Sequence, residues 1–346
     1  MITPEMVAEI TETGKLNVYF LKRFWSQRLL PLGGRAAAPR SAEDLALDTV
    51  ILSGLGLAIE ETMRYLGTEK PTFDTFEDWI LKINGGSIAP ERIARINAAA
   101  MKTAPPAAVQ DWLHHIETSD PVLNADDLAF WDENGYVILH DAISPEECRI
   151  AETAVWEYLQ MDRDRPESWY EKNIGQGIMV QMFHHPIQRA IRTSPRIHKA
   201  FAQVWHTPDL WVTNDRVSFN PPEYGKWRFP GPHLHWDTSL IQPMPFCTQG
   251  LMYLTDTPAE QGAFTCVPGF QRTLADWLDR LPPDADPRKQ DFERLGATPI
   301  AGKAGDLIIW NDALPHGSRP NQGSRPRFVQ YINMTPVMYD YRTGWR

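Results

Sequence analysis

His233-Leu234-His235-Trp236-Asp237 is the stretch on which the reading of this chain turns, together with His316 in Trp310-Asn311-Asp312-Ala313-Leu314-Pro315-His316-Gly317-Ser318. In an extended strand, residues two apart project from one face at about 6.6 Å, near enough for both side chains to reach one ion. His235 and Asp237 meet that condition. His233 lies on the same face but about 13 Å from Asp237, too far to share an ion with it, and is left as a pocket-wall or supporting candidate. A histidine and a carboxylate from one strand, completed by a distant second histidine, form the two-histidine, one-carboxylate face that holds iron(II) with three positions open. The bland alternative, strand histidines with ordinary polar partners, is common for so short a pattern. The neighbouring sequence decides between them.

Gly302-Lys303-Ala304-Gly305-Asp306 reads as a turn, Leu307–Trp310 as a buried strand, and Phe328-Val329-Gln330-Tyr331-Ile332 as another strand beyond His316. Arg325 and Arg327 lead into that last strand. A guanidinium grips a carboxylate through two parallel hydrogen bonds, so an arginine there suits a dicarboxylic co-substrate. Pro326 between the two arginines has no N–H for a ladder, which places Arg325 at the strand entrance and Arg327 inside it.

The order Trp131-Asp132-Glu133-Asn134-Gly135-Tyr136-Val137-Ile138, His235-X-Asp237, Gly262-Ala263-Phe264-Thr265-Cys266-Val267-Pro268-Gly269, Ala304-Gly305-Asp306, His316-Gly317-Ser318 and Arg327 resembles the phytanoyl-CoA dioxygenase family over about residues 120–340. The resemblance implies an iron(II)- and 2-oxoglutarate-dependent dioxygenase in which His235, Asp237 and His316 bind the metal. It implies that Arg327, eleven residues after His316 (327 − 316), pairs with the distal carboxylate of 2-oxoglutarate, with Arg325 as fallback. Ser318 is implied to assist at that carboxylate and Tyr253 to line the same pocket. Dioxygen and a small-molecule substrate would be the other reactants, with succinate and carbon dioxide released. Hydroxylation is the default outcome, and desaturation, epoxidation or ring formation needs only a different substrate pose. Where family members often carry Pro-Gly-Ser-His, this chain has Pro268-Gly269-Phe270-Gln271, so no role carries over to position 271. Related halogenases replace the carboxylate ligand with glycine or alanine; Asp237 therefore disfavours halogenation.

The resemblance specifies an α+β chain built on a double-stranded β-helix, the jelly roll of cupins, with flanking helices and a helical N-terminal extension. The expected division is 1–118 for the extension and 119–346 for the catalytic domain. Apolar spacing predicts helices over Met6–Trp25, Ala42–Leu66, Phe76–Ile83, Pro90–Ala100 and Val109–His115 in the first part. It predicts a helix starting near Asn124, another from Ser144 to about Met161, and strands at Tyr136–His140, Leu210–Asn220, Leu234–Thr238, Gly250–Leu254, Phe264–Val267, Asp306–Trp310 and Phe328–Asn333. The N-terminal helices would buttress the barrel, close over the site or form a homodimer interface, packing being the default.

With 346 residues the chain can bury a core without disulfides, and its three cysteines, none in a Cys-X-X-Cys pair, argue against a disulfide framework or a structural zinc site. A net charge of −10 argues against nucleic acid as a partner. Met1-Ile2-Thr3-Pro4-Glu5 lacks the basic and apolar regions of a secretory signal, and the apolar stretch around Val50–Ile59 is too short to span a bilayer, so a cytoplasmic enzyme with no membrane association is expected. Two rival classes stay open: a cupin-like metal enzyme that does not use 2-oxoglutarate, and a non-catalytic small-molecule-binding barrel. Arg327 weighs against the first, because a buried arginine without an anionic partner is costly, and the complete ligand set weighs against the second.

Overall fold

The structure, a computed structural model, describes residues 6–34, 40–171 and 177–338. The amino-terminal pentapeptide read above for a signal lies outside the described residues. The chain forms two compact units, one from residues up to 119 with 205–214 and the stretch from Met334, the other from 120–204 and 215–333.

The first unit contains α1 (Leu21–Leu32), α2 (Ala42–Gly54), α3 (Ile59–Glu69), α4 (Phe73–Ile83), α5 (Pro90–Ala100) and α6 (Ala107–Thr118). Local chemistry sets several starts. Ser41 and Asp44 form a reciprocal cap on α2, Thr72 caps α4, and Pro90 occupies the first turn of α5. Phe20, Phe24, Phe76, Leu47, Ile51 and Trp211 meet in its core, each large side chain worth roughly 1.5–3 kcal/mol on burial. Two expectations are corrected here. Residues 6–20 are turns in place of the first part of a Met6–Trp25 helix, because buried Glu77 accepts the backbone N–H groups of Lys15 and Leu16, at 3.0 and 2.9 Å, and holds this segment open. The single helix expected over Ala42–Leu66 breaks at 55–58, where Leu57 N–H turns back to the Leu52 carbonyl at 2.7 Å.

The second unit is the jelly roll. In chain order its helices are α7 (Ala125–Asn134), α8 (Pro145–Leu159), α9 (Pro186–Arg192), α10 (Pro195–Trp205) and α11 (Leu274–Arg280). The strands of the whole chain are β1 (Tyr136–Leu139), β2 (Met179–Val180), β3 (Trp211–Val212), β4 (Val217–Asn220), β5 (Thr248–Tyr253), β6 (Phe264–Cys266), β7 (Thr298–Ile300), β8 (Leu307–Asn311), β9 (His316–Gly317), β10 (Arg327–Tyr331) and β11 (Met334–Thr335). Six of them form an antiparallel sheet in the order β1-β8-β5-β10-β4-β2, and three form a second sheet, β7-β6-β9; β3 and β11 pair within the first unit. Leu251, Tyr253, Ile308, Trp310 and Val329 of the larger sheet share one core with Phe264, Cys266 and Ile300 of the smaller. Alternation along β10 sorts the rest. Phe328 points to the other face, where Trp156 of α8 packs on it at a ring distance of 4.9 Å.

Asn124 with Asp127 and Ser144 with Glu147 cap α7 and α8 where those helices were expected to start. The run expected as one strand over Leu210–Asn220 is two strands in different units, β3 and β4, divided where Asn214 donates to the Gly56 carbonyl at 2.7 Å. The segment expected as a strand over Leu234–Thr238 is not one. It makes a single ladder pair, His235 with His316. The four strands that went unread, β2, β7, β9 and β11, have only two or three residues each, too few to show alternation. Among the described residues no helix is long and apolar enough to cross a membrane.

Candidate metal centre

The two histidines are neighbours through their backbones. His235 N–H donates to the His316 carbonyl and His316 N–H to that of His235, both at 2.9 Å, which places the imidazole centroids 5.0 Å apart. This close pairing depends on Gly317: a Cβ there would lie 2.5 Å from the His233 carbonyl oxygen. Asp237 then comes round to both rings, its Oδ1 at 3.1 Å from His235 Nε2 and its Oδ2 at 3.4 Å from His316 Nε2. One ligand atom from each of the three residues lies within 4.8 Å of the others.

The opposite ring nitrogens settle the tautomers. His235 Nδ1 faces the His233 carbonyl at 2.6 Å and His316 Nδ1 faces the Leu314 carbonyl at 3.0 Å. A carbonyl only accepts, so each Nδ1 carries the proton and each Nε2 offers its lone pair. Two bare nitrogens aimed at a carboxylate repel it unless a cation lies between them, either a proton or a metal ion. The ionisation preferences agree. Where protons fill that place, burial raises the Asp237 carboxyl, but hydrogen bonds and charge from the protonated His235 and His316 outweigh it and hold the group well below the usual carboxylate range. Burial lowers His235, and the Asp237 contact overcomes it to raise that imidazole.

His233 contributes through its backbone carbonyl, while its exposed ring packs edge-on against Phe229 at 5.2 Å. Trp236, between the two ligands in sequence, is buried in the core and donates to the Ala313 carbonyl at 2.9 Å. Two supporting residues went unread in the sequence. Gln249 donates to Asp237 Oδ2 at 3.2 Å. Behind it Asp312, which interacts with Gln249 and Cys247, is pushed up to about 6, chiefly by burial.

The three groups open on a cavity of about 420 Å³ whose walls include Met179, Arg216, Leu251, Trp310, Ser318 and Tyr331. Arg327 lies beside it, fully buried at 0% exposure on the inward face of β10. Its Nη1 donates to the Gly262 carbonyl at 2.6 Å and to Ser318 Oγ at 3.0 Å, and its Nη2 donates to Ser218 Oγ at 3.1 Å. Gly262 sits at φ +68, and a Cβ there would meet Asn220 Nδ2 at 2.3 Å, so only glycine presents that carbonyl. Nε of Arg327 has no hydrogen-bond partner, and no acidic side chain pairs with this guanidinium among the described residues. Three of its five N–H groups are thus spent on fixed oxygens and two remain for an anion. Tyr331 also lines the cavity; burial raises its hydroxyl and the nearby Arg327 charge opposes that rise.

Two expected residues, Tyr253 and Arg325, fall elsewhere. Tyr253 does not line the cavity; its hydroxyl donates to the Ile300 carbonyl at 2.8 Å and accepts from Phe264 N–H at 2.9 Å, so it ties the two sheets together. Arg325 is exposed and borders a separate groove that also includes Arg149 and Trp169. Arg216 lines the cavity with its guanidinium on Asp215 at 3.2 Å, whereas Arg228 is exposed and donates to the Gly225 carbonyl at 2.9 Å. Gln271 reaches the Asp132 carbonyl at 3.3 Å, joining the end of α7 to the turn after β6 and leaving the site to others.

With this geometry in place, the comparisons with known proteins bear on it. A Dictyostelium discoideum protein named for phytanoyl-CoA dioxygenase is 21% identical over 260 residues, 60% of this chain and 74% of that protein. Ectoine dioxygenase of Nocardia farcinica is 24% identical over 270 residues, 70% of this chain and 87% of the enzyme. Among solved structures, the GlcNAc Inducible Gene 2 protein of Candida albicans shares the fold, with a TM-score of 0.50 and 15% identity over 64% of this chain and 65% of that one. The sequence model of the phytanoyl-CoA dioxygenase (PhyH) family matches residues 131–329. The chain belongs to that family, the iron- and 2-oxoglutarate-dependent oxygenases that act on small molecules.

Proposed function

We propose that His235, Asp237 and His316 hold one iron(II), that Arg327 with Ser318 receives the distal carboxylate of 2-oxoglutarate, and that the enzyme hydroxylates a small-molecule substrate at the 420 Å³ cavity. The observation that carries the reading is Arg327: a buried guanidinium with, among the described residues, an unpartnered Nε and no acidic partner, beside a three-ligand cluster. Leaving such a charge unpaired costs several kcal/mol, which a diacid's carboxylate would offset.

Bound there, iron(II) supplies the redox chemistry that couples reduction of dioxygen and decarboxylation of 2-oxoglutarate, to succinate and carbon dioxide, with oxidation of a substrate carbon. The residues of the chain provide the rest. The Leu314 and His233 carbonyls keep both Nε2 atoms turned inward, and Gln249 steadies Asp237. Ser218 and Ser318 fix the plane of the Arg327 fork, so that the diacid is held end-on. Phe264 and Trp310, packed in a tilted pair at a ring distance of 4.4 Å on the cavity wall, keep water from the ligand face.

On this reading the catalytic domain runs over 119–346 and the helical extension over 1–118; the compact unit of 120–204 and 215–333 contains every residue just named and supports the boundary near 119, while 205–214 and the stretch from Met334 group with the first unit. A homodimer through the N-terminal helices belongs to this reading, and light scattering checks it. A cytoplasmic location is in keeping with the acidic chain, and fractionation of expressing cells tests it. The decisive experiment is succinate release with iron, ascorbate, oxygen and 2-oxoglutarate. Absence of 2-oxoglutarate binding by calorimetry in the manganese-loaded protein would sink the proposal and favour a metal enzyme that does not use it.

A further inference from the structure

Asp237 sits in a segment without a ladder of its own. Only His235 pairs, and the carboxylate, half-exposed to the cavity, is otherwise steadied by Gln249 and the two histidines. Yet the carbonyls on either side of Asp237 share one partner. Arg288 Nη1 donates to the Trp236 carbonyl and Nη2 to the Thr238 carbonyl, each at 2.7 Å. The two carbonyls lie where one planar guanidinium, with N–H groups on both terminal nitrogens, reaches both. A lysine, as a single point of charge, cannot hold both in one plane.

Arg288 comes from the long connection between β6 and β7, and that connection also holds the Trp236 ring. Phe270, Trp277 and Phe292 surround the indole at centroid distances of 6.2, 6.1 and 5.3 Å. The connection thus holds residue 236 by ring and carbonyl and residue 238 by carbonyl, leaving the intervening Asp237 one direction in which to point.

We infer that Arg288 is a positioning residue, which braces the irregular ligand segment so that the Asp237 carboxylate stays turned toward His235 and His316. The inference rests on the proposed metal centre and deepens it. It explains how a ligand keeps its place without a strand around it, and it gives the β6–β7 connection a part in metal binding.

The test is calorimetric titration of the purified full-length protein with manganese(II), together with visible spectra of the cobalt(II)-loaded forms. Wild type, Asp237→Ala, Arg288→Met, Arg288→Lys and Arg280→Ala are compared, the last a surface control whose side chain pairs with Asp276 at 3.8 Å. Arg288→Met, which keeps the apolar stem, should raise the metal Kd by at least about tenfold, as loss of a ligand's outer support does. Its cobalt spectrum should move toward that of Asp237→Ala, Arg288→Lys should lie between, and Arg280→Ala should match wild type. Wild-type protein that binds no metal would overturn the metal-centre reading and the brace with it. Tight wild-type binding with wild-type affinity and spectrum in Arg288→Met would overturn the brace alone. Should Arg288→Met fail to fold, wild-type affinity and spectrum in Arg288→Lys would overturn it equally.

Discussion

The two ends of the cavity carry opposite unmet charge. At the ligand end, Asp237 has two histidines and the neutral Gln249 for partners, Asp312 lies buried behind Gln249, and neither carboxylate pairs with a lysine or arginine among the described residues. At the other end Arg327 is wholly buried and pairs with no carboxylate among the described residues. Inside a protein a lone charge of either sign is costly, so each end is stable only with the partner it lacks, a cation at one and an anion at the other. The ends also differ in how they are held. Arg327 sits in a regular strand whose register against β4 pairs it with Asn220, whereas Asp237 depends on side chains reaching across from other segments.

Asp237→Ala tests the negative end most severely. Turnover should fall at least about 1,000-fold, equivalent to about 4 kcal/mol, a decade beyond the loss of a ligand's supporting hydrogen bond. Near wild-type turnover and metal content in the purified variant would end the comparison. The same end should also show a pH signature in the metal-free protein. Burial pushes the Asp312 carboxyl up to about 6 in the folded protein, above its ordinary value of 3.8, so the stability it contributes is present below about pH 4 and is lost as the pH rises through 6. Asp312→Asn stays neutral and should therefore gain about 3 kcal/mol on wild type between pH 4 and 7 in urea titrations. A pH-independent difference would show that Asp312 is not the titrating group.

The positive end is sharpened by Arg327→Lys, which keeps the charge and loses the fork. Its KM for 2-oxoglutarate should rise by at least about tenfold, equivalent to 1.4 kcal/mol, while Arg325→Lys changes little. The reverse ranking in steady-state kinetics would move the anchor to Arg325. The smallest effect is expected for Gln249→Ala, whose single hydrogen bond to Asp237 is worth roughly 1 kcal/mol; metal Kd should weaken about fivefold with KM for 2-oxoglutarate unchanged. A larger change in KM than in metal affinity would place Gln249 at the wrong end.

What was legible in the sequence is what local chemistry writes. Asn124 with Asp127 and Ser144 with Glu147 announce helix starts within four residues, and the Ala304-Gly305-Asp306 turn precedes β8 as expected. The candidate ligands were legible for a partly mistaken reason: spacing along a strand led to His235 and Asp237, but that strand is absent and the pairing of His235 with His316 brings the groups together. Ser218, Gln249 and Tyr331 were not legible, because what they touch is set by sheet register between segments remote in sequence. Tyr253 shows the converse. It lies on the inward face among core residues, yet two backbone groups from β6 and β7 already engage its hydroxyl, a commitment that no local pattern encodes.

The way Arg327 is held has one more consequence. With Gly262, Ser318 and Ser218 fixing three of its N–H groups, the guanidinium can neither swing nor slide along the cavity. On the proposed reading it is a rigid end-stop, and its separation from the ligand cluster becomes a gauge of chain length. A keto diacid one carbon shorter would leave a gap at one end, and one a carbon longer would have to buckle. The protein would then select its co-substrate by length, with a stop that cannot move to meet the wrong one.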